Sequence, residues 1–290
     1  MRGIAMIGLL LALATSACTK LAPSPATDAS ALDGPALDER VAAARAFQHD
    51  YDESLRADET SCLTAVAAHY LAPGERLESE VGGRSLVLIA EPERLEVRVD
   101  ERVLALHDAE PLVLDDAARW RLVVSRQDHE WRVLVHDRDA EARRDFTGIA
   151  WFPIDASRIV DARFIPAPTR NPKQLQTSRG LTKTLHVAGV YQFELEGRTF
   201  ELEAFAYGSE PQPDEPLLIP FRDQTSGDTS YGGGRYLEPT LPEPGVGSTS
   251  LDFNRATNPL CAYSEHYNCP MPPAFNRLDL VISAGAATPH

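Results

Sequence analysis

The sequence predicts a mainly β protein: an antiparallel β-sandwich or barrel-like domain with an N-terminal helical segment, following a signal peptide and a disordered tether. Three observations carry this reading. From Glu80 onward the chain breaks into short alternating segments divided by turn residues at about ten-residue spacing, the pattern of antiparallel strands rather than βαβ units. A single helical stripe stands ahead of them. The chain opens on an apolar run too short to span a bilayer.

That opening run comes first in the chain. Arg2 precedes Ile4–Ala14, and the small residues Thr15-Ser16-Ala17 lead into Cys18. The pattern resembles a bacterial lipobox, which implies cleavage before Cys18 and lipid on its thiol and new α-amine. Residues 1–17 are thus read as a lipoprotein signal peptide, 18–35 as a flexible tether of Pro, Ala, Ser and Asp, and 36–290 as one β-rich domain. Thr19, a non-aspartate after the cysteine, points to the outer membrane. The expected location is the cell envelope, with the protein held to the membrane by its Cys18 lipid and facing the periplasm. The alternative is a soluble secreted protein cut nearby.

Within the domain, 36–72 is the helical lead-in. Leu37, Val41, Ala44, Phe47, Tyr51 and Leu55 recur at spacings of three and four, and a second short helix is expected from Thr60 to Leu71 before Pro73-Gly74. The first strand set, 80–140, holds 86–90, 95–100, 102–106, 119–125 and 130–137. The second set, 145–285, holds 182–188, 189–197, 198–207 and 278–284, with 167–180 as a polar loop. Glu196-Gly197 reads as a tight hairpin turn.

Composition bounds the function. With 43 acids against 28 Lys plus Arg, the formal charge is −15, and such a surface repels nucleic acid. No G-x-S-x-G elbow, H-E-x-x-H helix or P-loop is present, and no cofactor is expected. His69, His107, His129, His136 and His186 are scattered without ligand spacing, and no metal is expected.

Two stretches are dense in polar groups. FRDQTSGDTSYGGGRYL, 221–237, is a hairpin turn whose Asp223, Thr225, Asp228, Tyr231 and Arg235 can either brace the turn or surround a small polar site. LDFNRATNPLCAYSEHYNCPMPP, 251–273, places Asp252, Asn254 and Asn258 at a proline-stiffened rim, where they can satisfy loop backbone or face a ligand. Cys261 and Cys269 lie eight positions apart. In an oxidising compartment the expected outcome is a disulfide stapling this loop, against a Cys2His metal site through His266. With Cys62 the count is odd, so one thiol stays free or pairs between molecules.

DFTGIAWFPID (145–155), the 221–237 stretch and 251–285 together, in this order, resemble the DUF1684 family, bacterial proteins of unknown function. The match covers about half the chain, since RAFQHDYDESLRAD and HYLAPGE correspond more loosely and the usual tryptophan there is absent. Thr257 stands where the family pattern has an aromatic residue. The resemblance implies a fold and favours a ligand site over a bare turn.

The leading expectation is a module that binds a small molecule or glycan fragment through Trp151, Asp223, Thr225, Tyr231, Arg235, Asp252, Asn254, Asn258 and Asn276. A hydrolase is the second reading, with Asp223 or Asp252 as base and Arg235 stabilising developing charge. The third is an envelope scaffold without a small-molecule site.

Overall fold

The computed structural model describes residues 34–104, 106, 111–115, 117–127, 129–212, 214–243 and 249–289. The signal peptide, Cys18, most of the tether and His107 lie outside the described residues. The chain begins with helix α1 (Gly34–Ala57) and continues through β1 (Ala65–Leu71), β2 (Arg76–Val81), β3 (Arg84–Ala90), β4 (Leu95–Val99), β5 (Arg102–Leu104), β6 (Leu112–Val113), β7 (Trp120–Gln127) and β8 (Glu130–Asp137). After α2 (Glu141–Asp145) come β9 (Ile159–Pro166), β10 (Pro172–Gln176), β11 (Thr182–Leu195), β12 (Arg198–Ala206), β13 (Ile219–Phe221), β14 (Arg235–Leu237) and β15 (Thr249–Asp252). The strand ladders are antiparallel, and none of the sheets closes into a barrel among the described residues.

In the first half, sheet β2-β3-β4-β5 and sheet β1-β8-β7-β6 share one core, in which Leu86, Leu88, Val97, Leu122 and Val133 are fully buried. Strand alternation produces this directly: β4 reads buried–partial–buried along Leu95–Val99, one face to the core and one to solvent. In the second half, β10-β11-β9-β15, with β12 on β11, covers a core of Tyr191, Phe193, Leu202, Phe221, Phe253 and Ile282. Phe253 lies at its centre, with ring centroids 5.7 Å from Phe193 and 5.5 Å from Phe221. A smaller cluster of Leu55, Cys62, Leu63, Ile149 and Ala286 joins α1 to both halves.

Helix α1 follows its stripe. Ala44 and Leu55 are buried, and the polar side of the same face reaches across the chain. Gln48 donates to the Asn254 carbonyl at 2.8 Å, and Asp52 accepts the Trp151 indole N–H at 3.1 Å. The Glu196-Gly197 turn has the two positive φ values, 52° and 70°, that a tight hairpin with right-twisted strands requires.

Several expectations need correction. Thr60–Leu71 is not a helix. Asp58 ends α1 by accepting from Thr60 N–H at 2.8 Å, and Ala65–Leu71 pairs along β8 instead. Sheet pairing there outweighs the helix propensity of its alanines. Cys62 accordingly sits in a buried turn. The two strands expected over 182–197 are one strand, β11, with an irregularity between Val187 and Gly189. Gly189 is required there: a Cβ would meet the Ile165 carbonyl oxygen at 2.5 Å. The polar loop 167–180 contains β10. The expected strand 278–284 forms no ladder strand: the chain bends at Asp279-Leu280, and backbone bonds from Leu278 N–H to the Arg222 carbonyl at 2.8 Å and from Gln224 N–H to the Leu280 carbonyl at 2.9 Å hold it beside 222–224.

Candidate functional site

The 221–237 hairpin turns its charges inward. Asp223 and Arg235 form a fully buried ion pair at 3.2 Å. Asp223 also accepts from the Thr225 hydroxyl at 2.9 Å and from Ile282 N–H at 2.8 Å. Arg235 donates to the Ile282 carbonyl at 2.9 Å, to Ala286 at 3.3 Å and to Ala284. Its guanidinium lies between the Phe152 and Phe221 rings, 5.8 and 5.3 Å from their centroids. Burial pushes the Arg235 pKa down and the Asp223 carboxylate pushes it back. The pair therefore pins residues 282–286 to the turn and holds the fold; neither group faces a cavity.

The asparagines behave similarly, with one exception. Asn254 receives Asp155 N–H on Oδ1 and gives Nδ2 to the Asp155 carbonyl and to Asp252. Asn276 bridges Glu203 N–H, the Glu203 carbonyl and the Pro220 carbonyl. Both are buried and saturated. Trp151 is occupied by Asp52 and packs edge-on to Tyr51 at 6.2 Å. Asn258 differs. Its Nδ2 donates to the Ala287 carbonyl at 2.9 Å and the Tyr263 hydroxyl at 3.0 Å, while its Oδ1, buried, has no partner.

Asn258 lines a cleft of about 400 Å³ walled by Tyr51 of α1, Arg132 of β8, Lys183 of β11, Tyr236 of β14, and by Tyr207 and Tyr267. That volume lies in the range of small-ligand sites. Glu238 stands at its edge. Solvent reaches this carboxylate, yet the concave surroundings strip away enough water to hold it above the ordinary carboxylate range. Tyr207 is 57 % exposed and its phenol is likewise pushed up by its surroundings, the signature of a recess rather than an open face. Burial also raises Tyr51, Tyr236 and Tyr267, so the walls are neutral phenols at physiological pH. The cations are placed over rings: Arg132 at 6.0 Å from Tyr267 and Lys183 at 5.0 Å from Tyr207.

Asp252 lies in a second groove of about 430 Å³, with Arg40 and Phe47 of α1, Arg255 and the shared Glu238. Burial raises the Asp252 pKa, opposed by its bonds from Asn254. Asp252 lines this groove, whereas Asp223 is fully buried against Arg235 and Ile282 N–H.

The expected staple is not formed: Cys62, Cys261 and Cys269 are free thiols. Cys261 N–H donates to Cys269 Sγ at 3.3 Å. Hydrogen bonds from the Cys269 thiol foremost, and from Ser178 and Tyr231, lower the Cys261 pKa to about 6 against the raising effect of burial. Among the described residues, no group of three or more His, Cys, Asp and Glu is placed to hold a metal.

Sequence reasoning singled out Asn258 and Cys269 in this cleft and missed Tyr51, Tyr207, Tyr236, Tyr267, Glu238 and Arg132. Tyr51 was legible only as part of an apolar stripe, and Tyr207 and Arg132 carry no local signal.

The architecture defines a mainly β, antiparallel protein whose helix and motif loops wall a tyrosine-lined cleft. A family model, Protein of unknown function (DUF1684), matches residues 144–287. The solution NMR structure of the uncharacterized protein from gene locus rrnAC0354 of Haloarcula marismortui is 36% identical, over 51% of this chain and 80% of that one, with a TM-score of 0.43. No match was found among curated proteins. The chain belongs to the DUF1684 family.

Proposed function

We propose that the protein binds a small hydroxyl-bearing molecule or glycan fragment in the tyrosine-walled cleft. The observation that carries this is Asn258, which lines a cleft of ligand size and whose buried Oδ1 has no partner. An unpaired buried acceptor costs on the order of 1–3 kcal/mol, which a ligand hydroxyl would recover. Tyrosine faces stack against sugar C–H surfaces while their hydroxyls exchange hydrogen bonds, and the charged groups among them can bond sugar hydroxyls. Asn258 is the acceptor, Tyr207 the open stacking face, and Arg132 and Glu238 the charged groups at the walls.

The test is a thermal-shift screen of neutral mono- and disaccharides, followed by calorimetry on hits. For a sugar that raises Tm, Asn258→Leu and the exposed Tyr207→Ala should each weaken binding at least about tenfold, roughly one lost hydrogen bond or stacking face. No binding by any sugar, or unchanged affinity in Tyr207→Ala, defeats the reading.

The lipobox-like start supports a second part of the proposal: the protein is exported and held to the envelope by a lipid on Cys18. Cell fractionation should find the wild type in the membrane fraction and Cys18→Ser in the soluble periplasmic fraction; a Cys18→Ser chain that stays with the membrane would refute anchoring there.

A further inference from the structure

The 251–273 stretch brings two thiols together without joining them. Cys269 is clamped to the segment after β10: its N–H donates to Ser178 Oγ at 3.1 Å, its carbonyl accepts from Ser178 N–H at 2.9 Å, and Met271 N–H reaches the Gln176 carbonyl at 2.7 Å. Cys261 sits on the single 3-10 turn Leu260–Ala262, half-buried, with its own N–H on Cys269 Sγ. Cys269 is only 7% exposed. Cys261 is thus the more exposed residue of the two, while Cys269 borders the tyrosine-walled cleft.

We propose that Cys261 and Cys269 form a dithiol that exchanges with disulfides, Cys261 attacking and Cys269 resolving. The Cys261 thiolate forms a bond to one sulfur of a small or protein disulfide R–S–S–R′, and R′–S⁻ leaves. Cys269 then gives its proton to solvent, its sulfur attacks Cys261 Sγ, the mixed disulfide breaks and R–S⁻ leaves. Two electrons pass from the dithiol to the incoming disulfide, and the products are a Cys261–Cys269 disulfide, two thiolates and one proton.

The surroundings favour this order. The Cys269 thiol foremost, then Ser178 and Tyr231, favour the charged form of the Cys261 sulfur. The same interaction with Cys261 foremost, then burial, raises the Cys269 pKa, so Cys269 keeps its proton while Cys261 is charged. Once Cys261 is tied up in a mixed disulfide that charge is gone, and Cys269 is released to ionise. Lys183, whose positive charge favours the Cys269 thiolate, assists this second step. The phenols facing the pair, Tyr231 and Tyr236, are raised by burial first and by the cysteines next, and remain neutral donors. Cys62 does not compete, because burial pushes its thiol up to about 12.

The experiment uses the full chain carrying Cys18→Ser. Iodoacetamide alkylation across pH should show Cys261 reacting with a midpoint near 6, and Tyr231→Phe should move that midpoint upward. With 5,5′-dithiobis(2-nitrobenzoate) the fast phase should release two equivalents of thiolate, and peptide mapping should find Cys261 joined to Cys269. Cys269→Ser should release one equivalent and keep a stable adduct on Cys261. A Cys261 midpoint at the ordinary thiol value of about 8.5 overturns the proposal. So do separate adducts on both cysteines with no internal disulfide, or a Tyr231→Phe profile identical to the wild type. Sugar affinity is read separately, so failure here leaves the cleft reading standing, and the reverse holds.

Discussion

Arg235→Met should lower the stability of the protein by about 3–5 kcal/mol, the usual cost of breaking a buried ion pair by removing one partner. The side chain is fully buried and its loss strands several groups together. The Asp223 carboxylate would lie buried opposite no cation, keeping only the Thr225 and Ser226 hydroxyls and Ile282 N–H. The carbonyls of Ile282, Ala284 and Ala286 would lose their guanidinium donor. Methionine fills similar volume between Phe152 and Phe221, so the loss reads the charge rather than a cavity. Asp223→Asn should cost a similar amount by leaving the guanidinium uncompensated. The double variant Arg235→Met/Asp223→Leu should be less destabilised than the two single losses combined, because no charge is then left unpaired. Urea denaturation of the three variants measures this; a loss below about 1 kcal/mol in Arg235→Met would mean that the pair is not what holds 282–286 in place.

This pair shows where legibility in the sequence ended. Helix α1 and the Glu196-Gly197 hairpin were readable because their signals are local: a stripe at spacings of three and four, and a glycine between two alternating runs. The family motifs were readable as words. Whether Asp223 and Arg235 faced a ligand or the core depended on Ile282, Ala284 and Ala286, 47 to 59 positions later in the chain, and no pattern around the turn encodes that pairing. The same reason hid Thr60–Leu71, whose alanines read as helix until β8 supplied a ladder. The cleft was hidden more deeply still. Its tyrosines come from α1, β14 and two loops, each unremarkable in its own window, whereas Asn258 stood out beforehand because a proline follows it and Cys269 because of its spacing from Cys261.

The cysteines illustrate a different limit. Their spacing suggested a staple, and the loop does bring them together, but proline and backbone bonds to Ser178 do the stapling. The two thiols stay unjoined, and their mutual interaction lowers the Cys261 pKa while raising that of Cys269.

A second large effect is expected from pH. His136 on β8 is fully buried. With the Thr64 hydroxyl donating to the Ser61 carbonyl at 2.9 Å, His136 Nδ1–H rests on Thr64 Oγ at 2.9 Å, and Nε2 has no partner. Burial foremost, with Arg132 and Arg121 in the same direction, lowers its pKa to about 4, against Asp58 and the Ser61 backbone. The unfolded chain takes up this proton below about pH 6.5, whereas the folded chain refuses it until about 4. In that window the unfolded state binds more protons, so stability falls as the pH drops, by roughly 1.4 kcal/mol per pH unit and about 3 kcal/mol in all. Above 6.5 the group is neutral in both states and contributes nothing to the slope. Asp52, Glu238 and Asp252, whose pKa values are raised, act in the opposite direction on acidification, and His69, also lowered, acts in the same one. All four remain in His136→Met, so the difference between the two proteins isolates His136. Urea midpoints measured at pH 8, 6 and 4.5 should converge, with the variant losing stability less steeply than the wild type. Parallel profiles would mean that His136 takes up its proton in the folded protein as readily as in the unfolded chain.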